Sequence, residues 1–78
     1  MPAPHRLDVR GTRCPVPALR TAQAMGRLTP GERLEVVGDD PAMVIDLPAW
    51  CDEHGERLVE LVRDGGEVRV VVEKASGA

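Results

Sequence analysis

Apolar and polar residues alternate along "RLDVR", residues 6 to 10, with Leu7 and Val9 on one side. A period of two marks a half-buried strand, and Gly11 ends it. From Pro15 the period lengthens. Ala18, Leu19, Ala22 and Met25 recur at helical spacing, with Arg20, Thr21 and Gln23 between them, which predicts a helix reaching about Leu28. "TPGE", residues 29 to 32, carries proline second and glycine third, the order of a tight turn. "RLEVVGD" predicts a second strand with Leu34 and Val36 on one face. In "DPAMVIDLPAWCDEHG", Asp40 before Pro41 has the form of an N-cap followed by a first-turn proline. Asp46, two residues ahead of Pro48, reads as another. The pattern permits one helix broken near Pro48, or a short turn and a main helix from about 46 to 54. His54 and Gly55 suit its end, a cation and a closing glycine. "RLVELVRDGGEVRVVVEK" then places two β-branched runs around "DGG", a hairpin signal.

The expected order is β-α-β-α-β-β, an α+β fold. Its economical form is a two-layer α/β sandwich with both helices on one face of a four-stranded mixed sheet. The other sheet face would be partly wet or covered by a partner. The last strand, "VRVVV", is apolar at consecutive positions, which suits a central, doubly covered strand. Seventy-eight residues allow one core, expected over 6–74, with flexible tails at 1–5 and 75–78. Trp50 is the only aromatic residue, so that core must be built from aliphatic side chains.

Composition narrows the partners. The net charge of −3 offers no general basic field for nucleic acid. No apolar run is long enough to cross a bilayer, and the first ten residues lack the apolar stretch of a secretory signal. Two cysteines are too few for a disulfide scaffold. The expected compartment is cytoplasmic, with reduced thiols.

"RGTRCPVPALR", residues 10 to 20, is the segment that ordinary patterning does not explain. With Cys14 as N-cap, Pro15 falls at N1 and Pro17 at N3. Neither ring breaks a bond there, because first-turn N–H groups have no internal acceptor. A sulfur would stand at the positive end of a helix beside Arg13, with Arg10 near, a setting that favours thiolate. The prolines remove donors, so the dipole contributes only about 0.3–1 kcal/mol if exposed. The plainer alternative is a small buried hydrophobe that starts a helix.

"LDVRGTRCPVPALR", "LTPGE", "VVGDDPA" and "DLPAWC" together resemble the TusA/SirA-like sulfur-carrier family, whose signature is Cys-Pro-X-Pro. The resemblance runs from about residue 6 to 74 without a gap. It implies the same β-α-β-α-β-β sandwich. It also implies that Cys14 accepts sulfane sulfur as a persulfide, with Pro15 and Pro17 as the scaffold of its loop and no cofactor. The implied partners are a cysteine desulfurase or other donor and a downstream sulfur-acceptor protein, in transfer-RNA 2-thiolation or related sulfur trafficking. Asp8, Gly11, Asp40 and Pro41 match as structural positions.

Other readings compete. Cys51 and His54, one helical turn apart, could join Cys14 and His5 around a metal, but the spacing is incomplete. Cys51 packed beside Trp50, with His54 at the helix end, is the plainer reading. Pro17 occupies the place of a resolving cysteine, which excludes a thioredoxin-like pair at the motif. A Cys14–Cys51 bond requires Cα atoms within about 7 Å. Three acids in "DDPAMVID" suit caps and a solvated turn. Arg10, Arg13, Arg20 and Arg27 could form a docking surface for an acidic partner. A regulatory or protein/RNA-interaction module of the same fold is the rival function. Direct nucleic-acid binding is not expected without aromatics to stack on bases. No general base is evident beside Cys14, which argues against a stand-alone enzyme.

Overall fold

The computed structural model describes residues 4–75. It contains β1 (His5–Asp8), α1 (Val16–Met25), β2 (Arg33–Gly38), α2 (Met43–His54), β3 (Arg57–Asp64) and β4 (Glu67–Glu73). The sheet order is β1-β2-β4-β3. The first pair is parallel and the other two are antiparallel, so the sheet is mixed, as the sequence implies. β4 is central, and its Val68, Val70, Val71 and Val72 are all buried.

Alternation divides the two sheet faces. Leu34 and Val36 of β2 meet Val72 and Val70 of β4 across the ladder. Val9, Met25, Met43, Leu47 and Cys51 cover them to form one aliphatic core. The other face carries cross-strand ion pairs: Arg33 with Glu73 at 3.1 Å, and Arg69 with Glu35 at 3.1 Å and Glu60 at 3.0 Å. Opposite charges on neighbouring strands suit a wet sheet face.

Two glycines are dictated by geometry. Gly31 takes φ +92° in the Thr29–Glu32 turn, where Glu32 N–H donates to the Thr29 carbonyl at 3.1 Å. The Glu32 carboxylate also accepts the Thr29 N–H at 2.7 Å, which with His5 holds its pKa down at about 2. Gly38 ends β2 directly beneath Met43, and any Cβ there would collide with the Met43 sulfur. That close approach seats the start of α2 on the sheet.

Several expectations need correction. α1 begins one residue later than Cys14 capping would place it: Pro15 is the N-cap and Pro17 lies in the first turn. It ends at Met25, because the chain tightens at Gly26 into i−3 bonds from Arg27 and Leu28. Its buried stripe is Pro17, Thr21 and Met25, while Leu19 is 58% exposed. Leu19 stands two residues from both Pro17 and Thr21, on the opposite side of the helix. α2 runs unbroken through Pro48, its buried stripe Met43, Leu47 and Cys51 carrying the helix across the proline. Asp46 is not a second cap but lies in the first turn of that helix. β1 begins at His5, inside the stretch expected to be a tail. At the other end Ala75 N–H donates to Glu56 at 3.0 Å. The remainder of both expected tails, 1–3 and 76–78, lies outside the described residues.

Candidate functional site

The loop that carries Cys14 is held from below by two adjacent acids. β2 ends at Gly38, and Asp39 and Asp40 follow as the chain turns into α2. Asp39 Oδ1 accepts the Gly11 N–H at 3.0 Å and the Arg13 guanidinium at 3.0 Å. Asp40 is only 6% exposed. Its Oδ2 accepts the Cys14 N–H at 2.7 Å, and its Oδ1 accepts the Ala42 N–H at 3.0 Å. One buried carboxylate thus ties the turn ahead of α2 to the backbone of the cysteine. It is not the expected N-cap, because α2 starts at Met43 with Ala42 in the cap position and no side-chain cap bond, which leaves Pro41 ahead of the first turn. Thr12 closes the other side, its hydroxyl donating to the Val9 carbonyl at 2.6 Å. Val16 N–H reaches the Arg13 carbonyl at 2.9 Å.

These bonds explain the "DDPA" segment. The sequence gives it as caps and a solvated turn. The structure adds a clamp on a loop 26 to 28 residues earlier in the chain. No periodicity in either segment encodes that pairing. The signal available was the repeated acid itself, since only one of two adjacent carboxylates is needed to start a helix.

Cys14 is exposed and Cys51 is buried, and both are free thiols. The groove on the open sheet face, lined by Arg33, Glu35 and Arg69, does not include Cys14, nor does the one between β1 and α1. Exposed aliphatic side chains flank the motif, Val16 and Leu19 from α1. Pro15 is exposed and Pro17 is buried against the core.

The electrostatics reverse the expected sign. The Cys14 thiol is pushed up from its ordinary value, first by hydrogen bonding to Asp46, then by desolvation and the charges of Asp46 and Asp40. The arginines expected to favour thiolate are engaged otherwise. Arg10 makes a two-pronged pair with Asp8, at 3.0 and 2.8 Å, which drops the Asp8 carboxyl to about 2. Arg13 turns to Asp39. Arg20 and Arg27 are exposed on and just beyond α1. The free thiol at neutral pH is therefore protonated, not anionic.

The four residues weighed as metal ligands are dispersed by their partners. His5 pairs with Glu32 at 3.0 Å. His54 Nδ1 donates to the Trp50 carbonyl at 2.9 Å and its ring stacks on Trp50 at 4.6 Å. Cys51 sits in the core. Among the described residues no three His, Cys, Asp or Glu side chains converge as a metal site, and no helix is long and apolar enough to cross a membrane.

Comparison with known proteins agrees with this architecture. The chain is 39% identical over 70 residues to the candidate sulfur carrier protein YedF of Escherichia coli K12, covering 90% of this chain and 91% of that one. The same identity and coverage hold for YedF of Salmonella typhimurium. The crystal structure of a SirA-like protein from Desulfitobacterium hafniense superposes with a TM-score of 0.78 at 23% identity, covering 91% of this chain and 97% of that one, a likeness of fold. The family described as sulfurtransferase TusA matches residues 5–74, nearly the whole sequence, and the chain belongs to that family.

Proposed function

We propose that this protein is a sulfur carrier that takes up sulfane sulfur as a persulfide on Cys14 and relays it to an acceptor protein. The observation that carries the reading is the placement of Cys14. Its backbone is pinned by Asp40, yet the residue is exposed and its thiol is free. Small-molecule chemistry calls for a concave, water-excluding pocket. An exposed thiol on a fixed backbone suits attack by, or on, another protein's active site.

The transfer step is an exchange at sulfur. Cys14, as thiolate, attacks the outer sulfur of a donor's persulfide. The donor's S–S bond breaks and its cysteine leaves as thiolate, while a new S–S bond joins the transferred sulfur to Cys14. The proton shed by Cys14 ends on the departing thiolate, so no oxidant or reductant is consumed. The acceptor reverses this step and returns the thiol. Pro15 and Pro17 are the scaffold of the loop. Val16, Leu19 and Arg20, exposed on the first turns of α1 just after Cys14, supply apolar and cationic side chains for docking. The donor is a cysteine desulfurase or another persulfide-bearing protein. The acceptor serves transfer-RNA 2-thiolation or related sulfur traffic in the cytoplasm.

The test is transfer of labelled sulfur from a cysteine desulfurase supplied with labelled cysteine. The wild type and Cys51→Ser take up label that a reductant removes, and Cys14→Ser takes up none. Equal labelling of both variants contradicts the assignment, and a tight RNA complex with no sulfur uptake favours the interaction-module reading.

A further inference from the structure

We propose that the outer edge of β1, with the groove between β1 and α1, takes up an acidic, extended segment of a partner protein. This deepens the carrier reading, and it rests on that reading for what the partner does. Among the described residues β1 is an outer strand, paired with β2 alone. Directly after it, Val9 donates its N–H to the Val37 carbonyl at 2.8 Å. Backbone groups alternate in direction along a strand, so those of Arg6 and Asp8 point away from β2 and face an incoming strand. Beside this edge lies a groove of about 260 Å³, lined by Leu7, Ala24, Leu28 and Leu34 together with Arg6 and Arg27. Leu34 is closed in the core, Leu7, Ala24 and Leu28 are half-buried against it, and both arginines are exposed.

The chain carries a net charge of −3, yet this edge is cationic. Among the described residues Arg6 and Arg27 form no ion pair, whereas Arg10, Arg13, Arg33, Arg57, Arg69 and Lys74 each have an acid. The acids of the neighbouring turns are committed: Glu32 to His5 and Thr29, and Asp8 to Arg10. α1 itself contains no acid. Two guanidinium groups without partners match carboxylates. The aliphatic lining matches apolar side chains that alternate with those carboxylates along a strand. Strand addition supplies main-chain bonds, and the groove selects side chains. No aromatic ring lines the groove, so nucleic-acid bases have nothing there to stack on. Cys14 precedes the first turn of α1, and the groove lies at its last turn. Ten residues of helix separate them, a rise of about 15 Å. A partner held at the groove therefore presents its reactive sulfur to Cys14 from the far end of one helix.

The experiment is an NMR titration of the isotope-labelled full chain with two synthetic peptides, Ac-Glu-Val-Glu-Val-Glu-NH2 and its counterpart with lysine in place of glutamate. The acidic peptide shifts the amide resonances of Arg6, Leu7, Ala24 and Leu28, and the lysine peptide leaves them in place. The double variant Arg6→Glu, Arg27→Glu binds the acidic peptide about tenfold more weakly, the size expected for two surface ion pairs. Arg63→Glu, a charge reversal at an exposed position on the opposite edge strand, leaves that affinity unchanged. The proposal is overturned by no shift at millimolar acidic peptide, by equal shifts from both peptides, or by an equal loss in Arg63→Glu. Shifts of the same amides by a single-stranded RNA oligomer, without any from the acidic peptide, overturn it as well. No sulfur takes part in the titration. Peptide binding without sulfur uptake at Cys14 therefore sinks the carrier reading alone, and uptake without peptide binding sinks the groove alone.

Discussion

At the scale of single residues, the decisive contrast is between the two cysteines. Cys14 is exposed with carboxylates beside it, and Cys51 is 2% exposed in an aliphatic core. Burial, aided by the charge of Glu56, pushes the Cys51 thiol up to about 11. Its folded value is thus higher than that of the unfolded chain, so the folded state holds its proton longer. That contribution to stability is complete below about pH 9 and is lost as pH rises from about 9 through 11. Urea denaturation across that range shows falling stability in the wild type, and the fall is reduced in Cys51→Ala. Asp40 provides a second prediction. Asp40→Ala leaves the Cys14 and Ala42 N–H groups without their acceptor in a nearly closed site. Leaving buried donors unpaired costs about 1–3 kcal/mol, read as a lower urea midpoint with the slope unchanged.

The residue scale also shows where sequence reading stops. The exposed cysteine of the Cys-Pro-X-Pro stretch was legible because it stands just ahead of the helix, outside the apolar periodicity that begins after it. Its protonation was not legible. Arg10 and Arg13 adjoin Cys14 in sequence, while Asp40 and Asp46 reach it only through the fold, and sequence neighbours were given the larger weight. Asp46 read as a cap because a proline follows two residues later. The helix instead continues through that proline.

At the scale of elements, strands and turns were well marked. "TPGE" and "DGG" each gave a turn by local chemistry, and consecutive valines placed β4 at the centre of the sheet. Helix faces were harder, since α1 has small residues on most sides. Leu19 drew the predicted core stripe to itself, but the helix packs through Pro17, Thr21 and Met25. Thr21 is completely buried, and its hydroxyl lacks a hydrogen-bond partner. A buried unpaired hydroxyl costs about 1–3 kcal/mol on mutational scales. Thr21→Val keeps the shape and removes that group, so it raises stability by about 1 kcal/mol. For a domain this small that is a rise of roughly 4–8 °C in Tm. A lower Tm would show that the hydroxyl has a partner in solution.

At the scale of the whole molecule, one wall carries the chemistry. The helices cover one face of the sheet, and the other bears the ion-pair ladder of Arg33, Glu35, Arg69 and Glu73. The Cys14 loop sits where the exit of β1, the exit of β2 and the starts of both helices meet. Residues far apart in the chain converge there through the parallel pairing of β1 and β2. The β-α-β order foretold that pairing in outline, but not which side chains it would bring together.

The most direct measurement of the central claim is the intact mass of the full chain after exposure to a cysteine desulfurase and cysteine, without reductant. The account predicts a gain of one sulfur, about 32 Da, located at Cys14 and removed by dithiothreitol. An unchanged mass, or an added sulfur found on Cys51, would contradict it.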